Sequence, residues 1–89
     1  MNFEYDSKKS AANKLKHGIG LEEAQMLWFS PAVEVEAKTV GEPRFMIIGK
    51  VKGKFYSCIY TIRGDFIRLI SARRSRKSEE RIYNEHIKG

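Results

Sequence analysis

The spacing between apolar residues changes along this chain, and the change separates predicted helices from predicted strands. After a very short strand at Phe3–Tyr5, apolar positions recur at helical intervals, which predicts helices over Ser7–His17 and Leu21–Phe29. The Asp6 carboxylate is suited to cap the first helix, and Gly18 can adopt the left-handed conformation that often follows a helix. The N-terminal third is therefore predicted to be mainly helical.

From Val33 onward the apolar residues alternate with polar ones, which is the two-residue period of a strand. Lys52-Gly53 and Arg63-Gly64-Asp65 are tight-turn signals, so the strands they join should pair as an antiparallel meander. The four predicted strands are Val33–Ala37, Arg44–Val51, Lys54–Ile62 and Phe66–Ala72. A last helix is predicted from Ser78, and a start as early as Ser75 also fits the sequence.

These elements predict one α+β domain over residues 1–89, with two N-terminal helices, an antiparallel β-sheet meander and one C-terminal helix in two layers. A chain of 89 residues, 42% of them hydrophobic, can form one core but has no room for a second. Such a small domain cannot enclose a large organic cofactor. We therefore expect no cofactor, and any chemistry should take place in a shallow, open groove.

The charge of the chain is basic and unevenly distributed. The net charge is +6, and residues 63–89 carry eight basic and four acidic side chains, whereas residues 1–62 carry nine and seven. Six of the seven arginines lie between Arg63 and Arg81. Because guanidinium groups bind phosphate oxygens through two parallel hydrogen bonds, this cluster favours a nucleic-acid partner. The alternative is a solvated surface laced with salt bridges.

Cysteine usage and the N-terminal sequence exclude several classes of protein. The single cysteine, Cys58, cannot form a disulfide within the chain or supply a zinc site with two thiolates. The first residues show no apolar leader, and no run approaches the roughly 20 apolar residues that span a bilayer. We expect a cytoplasmic protein without a membrane partner.

The last predicted strand and the residues after it carry the densest candidate chemistry. If the strand alternates regularly, one face carries Phe66, Arg68, Ile70 and Ala72, and the other carries Ile67, Leu69, Ser71 and Arg73. Arg73, Arg74 and Arg76 should then converge where this strand leads into the last helix, and clamp a phosphodiester there. For Arg68 the alternative is a simple ion pair with Glu34 or Glu36.

Two helical segments offer further candidates. Glu80 is a possible general base, or only a favourable charge in a first helical turn, and Tyr83 either contacts RNA or packs in the core with Ile87. His17 is a possible acid or base next to Lys16, or only a cation at a helix C-terminus. No metal-ligand motif or glycine-rich phosphate loop is present, so the plausible chemistry is attack by the RNA's own 2′-hydroxyl.

The order and spacing of these residues resemble the BrnT family of toxins over about Phe3 to Tyr83. The N-terminal matches are Phe3-Glu4-Tyr5-Asp6, Lys9, Asn13, Lys16-His17-Gly18 and Glu22-Glu23-Ala24. The later ones are Arg44, Gly49, Tyr60-Thr61, Arg63-Gly64, Ile67-Arg68, Ile70-Ser71-Ala72-Arg73-Arg74, Glu80-Arg81 and Tyr83. Two departures, Tyr5 where the family often has Trp and Gly20-Leu21 where it often has a hydroxyl residue and Phe, lie in the N-terminal scaffold.

The resemblance implies a RelE-like ribonuclease fold, an endoribonuclease activity that blocks translation, and neutralisation by a BrnA-type antitoxin. It also implies a complex, a heterotetramer or larger, in which the antitoxin binds operator DNA.

The leading hypothesis is accordingly a metal-independent endoribonuclease toxin, with Arg73 as the main stabiliser of charge on the phosphate. The candidate catalytic residues are Arg73, Glu80, His17 and Tyr83, and the candidate RNA-binding residues are Lys16, Arg63, Arg68, Arg74, Arg76 and Arg81. The alternatives are a non-catalytic nucleic-acid-binding module and a repressor-complex subunit that has lost toxicity.

Overall fold

The computed structural model describes residues 1–37 and 41–88, which form nine elements of secondary structure. In chain order these are β1 (Asn2–Glu4), α1 (Ser7–His17), α2 (Leu21–Ala24), a 3₁₀ helix (Gln25–Phe29), β2 (Ala32–Ala37), β3 (Arg44–Val51), β4 (Lys54–Arg63), β5 (Phe66–Arg74) and α3 (Lys77–Lys88). The α+β class and the element order predicted from the sequence are confirmed.

The five strands form one sheet in the order β1-β5-β4-β3-β2. Strands β2 to β5 are the predicted antiparallel meander, and β3 has the predicted bounds. The hairpin turn between β3 and β4 has positive φ angles at Lys52 (52°) and Gly53 (79°), as a turn that matches strand twist requires. Strand β1 pairs in parallel with the start of β5, from Asn2 opposite Phe66 to Glu4 opposite Arg68.

The sequence signals at both ends of α1 act as predicted. The Asp6 carboxylate accepts hydrogen bonds from the backbone N–H groups of Lys8 (2.8 Å) and Lys9 (3.0 Å), and Gly18 ends the helix with a φ of 77°. The predicted second helix is α-helical only to Ala24 and continues as a 3₁₀ helix. Its first turn is tied back to α1, because the Ser10 hydroxyl accepts a hydrogen bond from the Leu21 N–H at 2.8 Å.

Helical segments cover both faces of the sheet, so the two-layer arrangement predicted from the sequence is wrong. Ile47 packs in a core with Leu21 and Leu27, whereas its neighbour Ile48 packs with Tyr83 of α3. Neighbouring residues in a strand point to opposite faces. We call the face of Ile47 the first face and the face of Ile48 the second face.

A bulge interrupts β5 and changes which of its residues share a face. Ser71 lies opposite Ile59 of β4, but Leu69 lies opposite the next residue, Tyr60, so Ile70 is an extra residue without a partner. As a result Leu69 and Ala72 are both buried in the first-face core. The regular alternation predicted for this strand is therefore wrong beyond Leu69, while Ser71 and Arg73 do share the second face.

The only cysteine lies in the first-face core. The Cys58 side chain is fully buried, and burial raises its pKa to about 12, so the thiol stays neutral at physiological pH. Within the described ranges, no helix has the length and apolar character needed to cross a membrane.

Candidate functional site

Helix α1 takes the place of a neighbouring strand along the free part of β5. Strand β1 pairs with residues 66–68 of β5, and no other strand among residues 1–37 and 41–88 pairs with this edge farther along β5. There the Asn13 amide donates to the Ala72 carbonyl (2.7 Å) and accepts from the Ala72 N–H (3.3 Å). The same amide donates to the Ile19 carbonyl at 2.8 Å. Asn13 thus fixes α1, the loop after it and the bulged strand to one another.

An open groove of about 250 Å³ lies along this contact between α1 and β5. Its lining residues are Lys9, Ala12, Asn13, Lys16, His17, Ile70 and Ser71. The groove therefore brings together two ammonium groups, an imidazole and a hydroxyl beside the bulge. Bulges are frequent next to functional sites because they redirect side chains. We call this feature the edge groove.

His17 and Lys16 were both sequence candidates, and the structure places them together. Lys16 is exposed, and His17 is half-buried as the last residue of α1, where the helix C-terminus attracts cations. Ammonium groups attract phosphate, and an imidazole can donate or accept a proton. The edge groove therefore holds the residue types that anion binding and proton transfer require.

Arg73, the leading candidate from the sequence, is instead engaged within the protein. Its guanidinium forms a two-pronged ion pair with Glu79 of α3, with both N–O distances at 2.8 Å. The Arg73 side chain is 28% exposed and that of Glu79 is 9% exposed. The predicted convergence of the Arg73 and Arg74 side chains on a phosphodiester at this corner is wrong for Arg73 as it stands in the structure, because its guanidinium is paired with a carboxylate of the protein itself.

Glu79 is the centre of a buried polar network that joins β4, β5 and α3. Besides Arg73, it accepts hydrogen bonds from the Ser57 hydroxyl (2.8 Å) and the Arg76 N–H (3.0 Å), and Ser57 also contacts the Ser75 hydroxyl at 2.8 Å. Burial alone would raise the pKa of Glu79, but these hydrogen bonds and the Arg73 charge outweigh it and lower the pKa to about 2. The network docks the start of α3 onto the sheet.

Arg74 points to the opposite face from Arg73. It lies opposite Tyr56 in the register, and its guanidinium carbon is 5.6 Å from the centre of the Tyr56 ring. Its Nε donates to the Phe55 carbonyl at 3.1 Å, which holds the guanidinium in place. The two adjacent arginines therefore serve different surfaces, because consecutive strand residues alternate.

Two further candidate arginines form loose surface ion pairs. Arg68 lies 3.6 Å from the Glu4 carboxylate on β1, and Arg63 lies 3.5 Å from Glu42. The predicted ion pair of Arg68 with Glu34 or Glu36 is wrong. Strand β1 is the neighbour of β5 at this point, whereas β2 lies at the far edge of the sheet. The Arg63–Glu42 pair is exposed and the Arg68–Glu4 pair is half-buried, and ion pairs of this length near the surface contribute little to stability.

The candidates on α3 lie away from the edge groove. Tyr83 is 9% exposed and packs edge-on against Phe55, with ring centres 5.1 Å apart. Of the two predictions for this residue, core packing therefore describes its position. Glu80 lies in the first turn of α3, while Arg76 and Arg81 are exposed. Helix α3 packs over β2 and β3, so it does not bring these side chains to the free edge of β5.

Sequence reasoning missed the roles of Asn13, Ser71 and Glu79. A signal for Asn13 was its polar amide on the side of α1 that also carries Lys9 and Lys16, one helical turn to either side. Glu79 was not among the sequence candidates, although it lies six residues from Arg73 across a strand-to-helix corner. Among residues 1–37 and 41–88, no three His, Cys, Asp or Glu side chains group closely enough to hold a metal ion.

Comparison with known proteins agrees with the residue pattern. The family model described as "Ribonuclease toxin, BrnT, of type II toxin-antitoxin system" matches residues 5–79, which is most of the chain. No curated protein matches the sequence. The matched range includes the whole edge groove and the Arg73–Glu79 pair.

Proposed function

The chain belongs to the BrnT family of ribonuclease toxins of type II toxin–antitoxin systems, and from this premise we propose that it cuts RNA in the edge groove. A toxin of this class has an RNA substrate and a cognate antitoxin. The cleavage site is proposed there because one open groove is lined by Lys9, Lys16, His17 and Ser71. An open groove suits a single strand whose bases splay away from the backbone.

The proposed reaction is an internal phosphoryl transfer. The 2′-hydroxyl of the RNA attacks the adjacent phosphorus, the bond to the 5′-oxygen of the next nucleotide breaks, and a 2′,3′-cyclic phosphate and a 5′-hydroxyl result. His17 transfers a proton to or from one of these two oxygens, and a solvent water makes the opposite transfer at the other, so that the proton lost by the 2′-oxygen is balanced by the one gained by the 5′-oxygen. Lys16 and Lys9 stabilise the charge that builds on the non-bridging phosphate oxygens. No metal is required, because the nucleophile belongs to the substrate.

Arg73 has a different task in this proposal. Its guanidinium is already paired with Glu79, so it holds the end of β5 to α3 and thereby supports the strand that carries Ser71. Arginines farther from the groove, exposed except for the half-buried Arg68, contact the RNA backbone beyond it, namely Arg63, Arg68, Arg74, Arg76 and Arg81. Glu80 and Tyr83, which lie on α3, take no part in the chemical step.

The antitoxin is proposed to be of the BrnA type and to inhibit by covering the basic surface that RNA uses. An acidic or amphipathic segment complements a chain of net charge +6. Competition between a labelled RNA and purified antitoxin for the free toxin tests this mode of inhibition. Mutually exclusive binding supports occlusion, whereas simultaneous binding contradicts it. The antitoxin would also bring the complex to operator DNA and, through loss of free toxin, relieve the block on translation.

The reaction class is tested by incubating the purified protein with a defined RNA in the presence of EDTA. Discrete products that end in a 2′,3′-cyclic phosphate are expected, since 2′-hydroxyl attack produces this end group. Products with a 3′-hydroxyl would contradict the mechanism. Intact RNA that shifts in a gel and is released by salt would instead show a non-catalytic binding module.

A further inference from the structure

A second basic groove lies at the hairpin end of the sheet. Its volume is about 210 Å³, and its lining residues are Lys14, Gly18, Ile19, Glu23, Val51, Lys52, Lys54 and Tyr56. Of its cations, Lys52 lies in the turn between β3 and β4, and Lys54 is the first residue of β4. Arg74 lies over the Tyr56 ring at the same end of the sheet. We call this feature the hairpin groove.

Its charge is positive even after the internal ion pair is counted. Lys14 is paired with Glu23 at 2.5 Å, so these two side chains offset each other. Hydrogen bonds from Lys14 and from the Gly20 N–H lower the pKa of Glu23, and the nearby charge of Lys52 acts in the same direction. Lys52 and Lys54 remain as cations of the groove, and Arg74 lies beside it over the Tyr56 ring. Arg74 uses only one of the five N–H donors of a guanidinium on the Phe55 carbonyl.

The two grooves share the C-terminal turn of α1. The edge groove includes Lys16 and His17, and the hairpin groove includes Lys14 and Gly18, so one lies on each side of this turn. The end of β5 connects them in the same way, with Ser71 lining the first and Arg74 lying over Tyr56 beside the second. A continuous polyanion that occupies one groove would pass next to the other.

We propose that the hairpin groove binds a backbone phosphate of the same RNA, a few nucleotides from the bond that is cut. This inference rests on the proposed function of the edge groove and adds a substrate-binding subsite to it. Lys52 and Lys54 attract the phosphate as point charges, and Arg74, held over Tyr56, offers directional N–H donors. Binding energy gained here is available to position the scissile bond in the edge groove.

The test is a double variant, Lys52→Asn with Lys54→Gln, assayed on a long single-stranded RNA and on a dinucleotide. Asparagine is chosen at Lys52 because that residue has a φ of 52°, which asparagine tolerates well. The matched control is Lys8→Gln with Lys77→Gln, which removes the same charge from exposed positions outside both grooves. Urea unfolding of each variant confirms that it is folded.

We expect the Lys52→Asn, Lys54→Gln variant to raise KM for the long RNA about tenfold with kcat unchanged, and the control variant to leave both unchanged. For the first variant, the slope of log affinity against log salt should become shallower by about 0.7, because one phosphate contact is removed from a single strand. Cleavage of the dinucleotide should not change, because it cannot reach the second groove. Equal effects in the control pair, or an equal loss on the dinucleotide, would overturn the subsite. If the parent does not cut RNA at all, the proposed function fails, whereas gel-shift affinities of the same variants still decide the subsite.

Discussion

The Arg73–Glu79 pair is expected to contribute a large, pH-dependent part of the stability of this domain. The pKa of Glu79 falls from an ordinary 4.5 to about 2 in the folded protein. Because a tenfold change in a proton-binding constant corresponds to about 1.4 kcal/mol, the ionised carboxylate stabilises the fold by about 3 kcal/mol at neutral pH. That is a large fraction of the roughly 5–10 kcal/mol available to a domain of this size.

The sign of the pH dependence follows from the lowered pKa. A carboxyl whose folded pKa is depressed gives its full stabilisation above pH 4.5 and loses it as the pH falls through about 2. Between pH 7 and pH 3 the loss from Glu79 should be about 2 kcal/mol. Asp6 and Glu23 also have lowered pKa values, so the parent protein alone does not isolate the effect.

The assay is urea unfolding at pH 7 and pH 3 for the parent, Glu79→Gln and a control, Glu85→Gln, which changes an exposed residue of the same helix. Glu79→Gln removes the charge that Arg73 is paired with, so it should lower the free energy of unfolding by about 3 kcal/mol at pH 7. Its free energy of unfolding should also fall by about 2 kcal/mol less than that of the parent between pH 7 and pH 3, because the Glu79 contribution is gone. The free energy of unfolding of the control should stay within about 0.5 kcal/mol of that of the parent. If Glu79→Gln and the parent lose equal stability between pH 7 and pH 3, the pair is not the source and the reasoning is refuted.

Two further substitutions separate structural roles from catalytic ones. Asn13→Ala removes three hydrogen bonds, two of them to Ala72. It should lower the free energy of unfolding in urea by about 2–3 kcal/mol and also slow RNA cleavage. An unchanged free energy of unfolding would contradict the role of Asn13 in holding α1 to β5. Tyr83→Phe keeps the packing against Phe55, so the free energy of unfolding should stay within about 0.5 kcal/mol of the parent and the cleavage rate within about twofold. A large loss of cleavage at unchanged stability would show instead that Tyr83 is a catalytic residue.

Local signals predicted most of the fold, because they depend on residues that are close in sequence. The Asp6 cap, the Gly18 helix end and the Lys52-Gly53 turn each specify geometry within a few residues. The parallel pairing of β1 with β5 joins residues more than sixty positions apart, and periodicity carries no information about such a partner. The run Met46-Ile47-Ile48 did break strict alternation, which is typical of a strand covered on both faces, and it was the overlooked sign of the third layer.

The candidate site was predicted in part, for the same reason. Lys16 and His17 were recognised because their residue types carry chemistry on their own, and the groove shows that they lie together. The partner of Arg73 was missed because pairing across the corner between β5 and α3 depends on the docking angle of the helix. Such contacts are set by tertiary packing, and the Ile70 bulge likewise depends on the neighbouring strand.

The edge groove as the site of RNA cleavage is tested most directly by single-turnover cleavage with His17→Gln, compared with His86→Gln. His86 is the other histidine of the chain and lies exposed in α3, where its Nδ1 contacts the Ile82 carbonyl. His17→Gln should slow cleavage by about 100-fold or more while RNA binding and folding persist, and His86→Gln should cut at the parental rate. Parental cleavage by His17→Gln would show that the reaction takes place elsewhere on the protein.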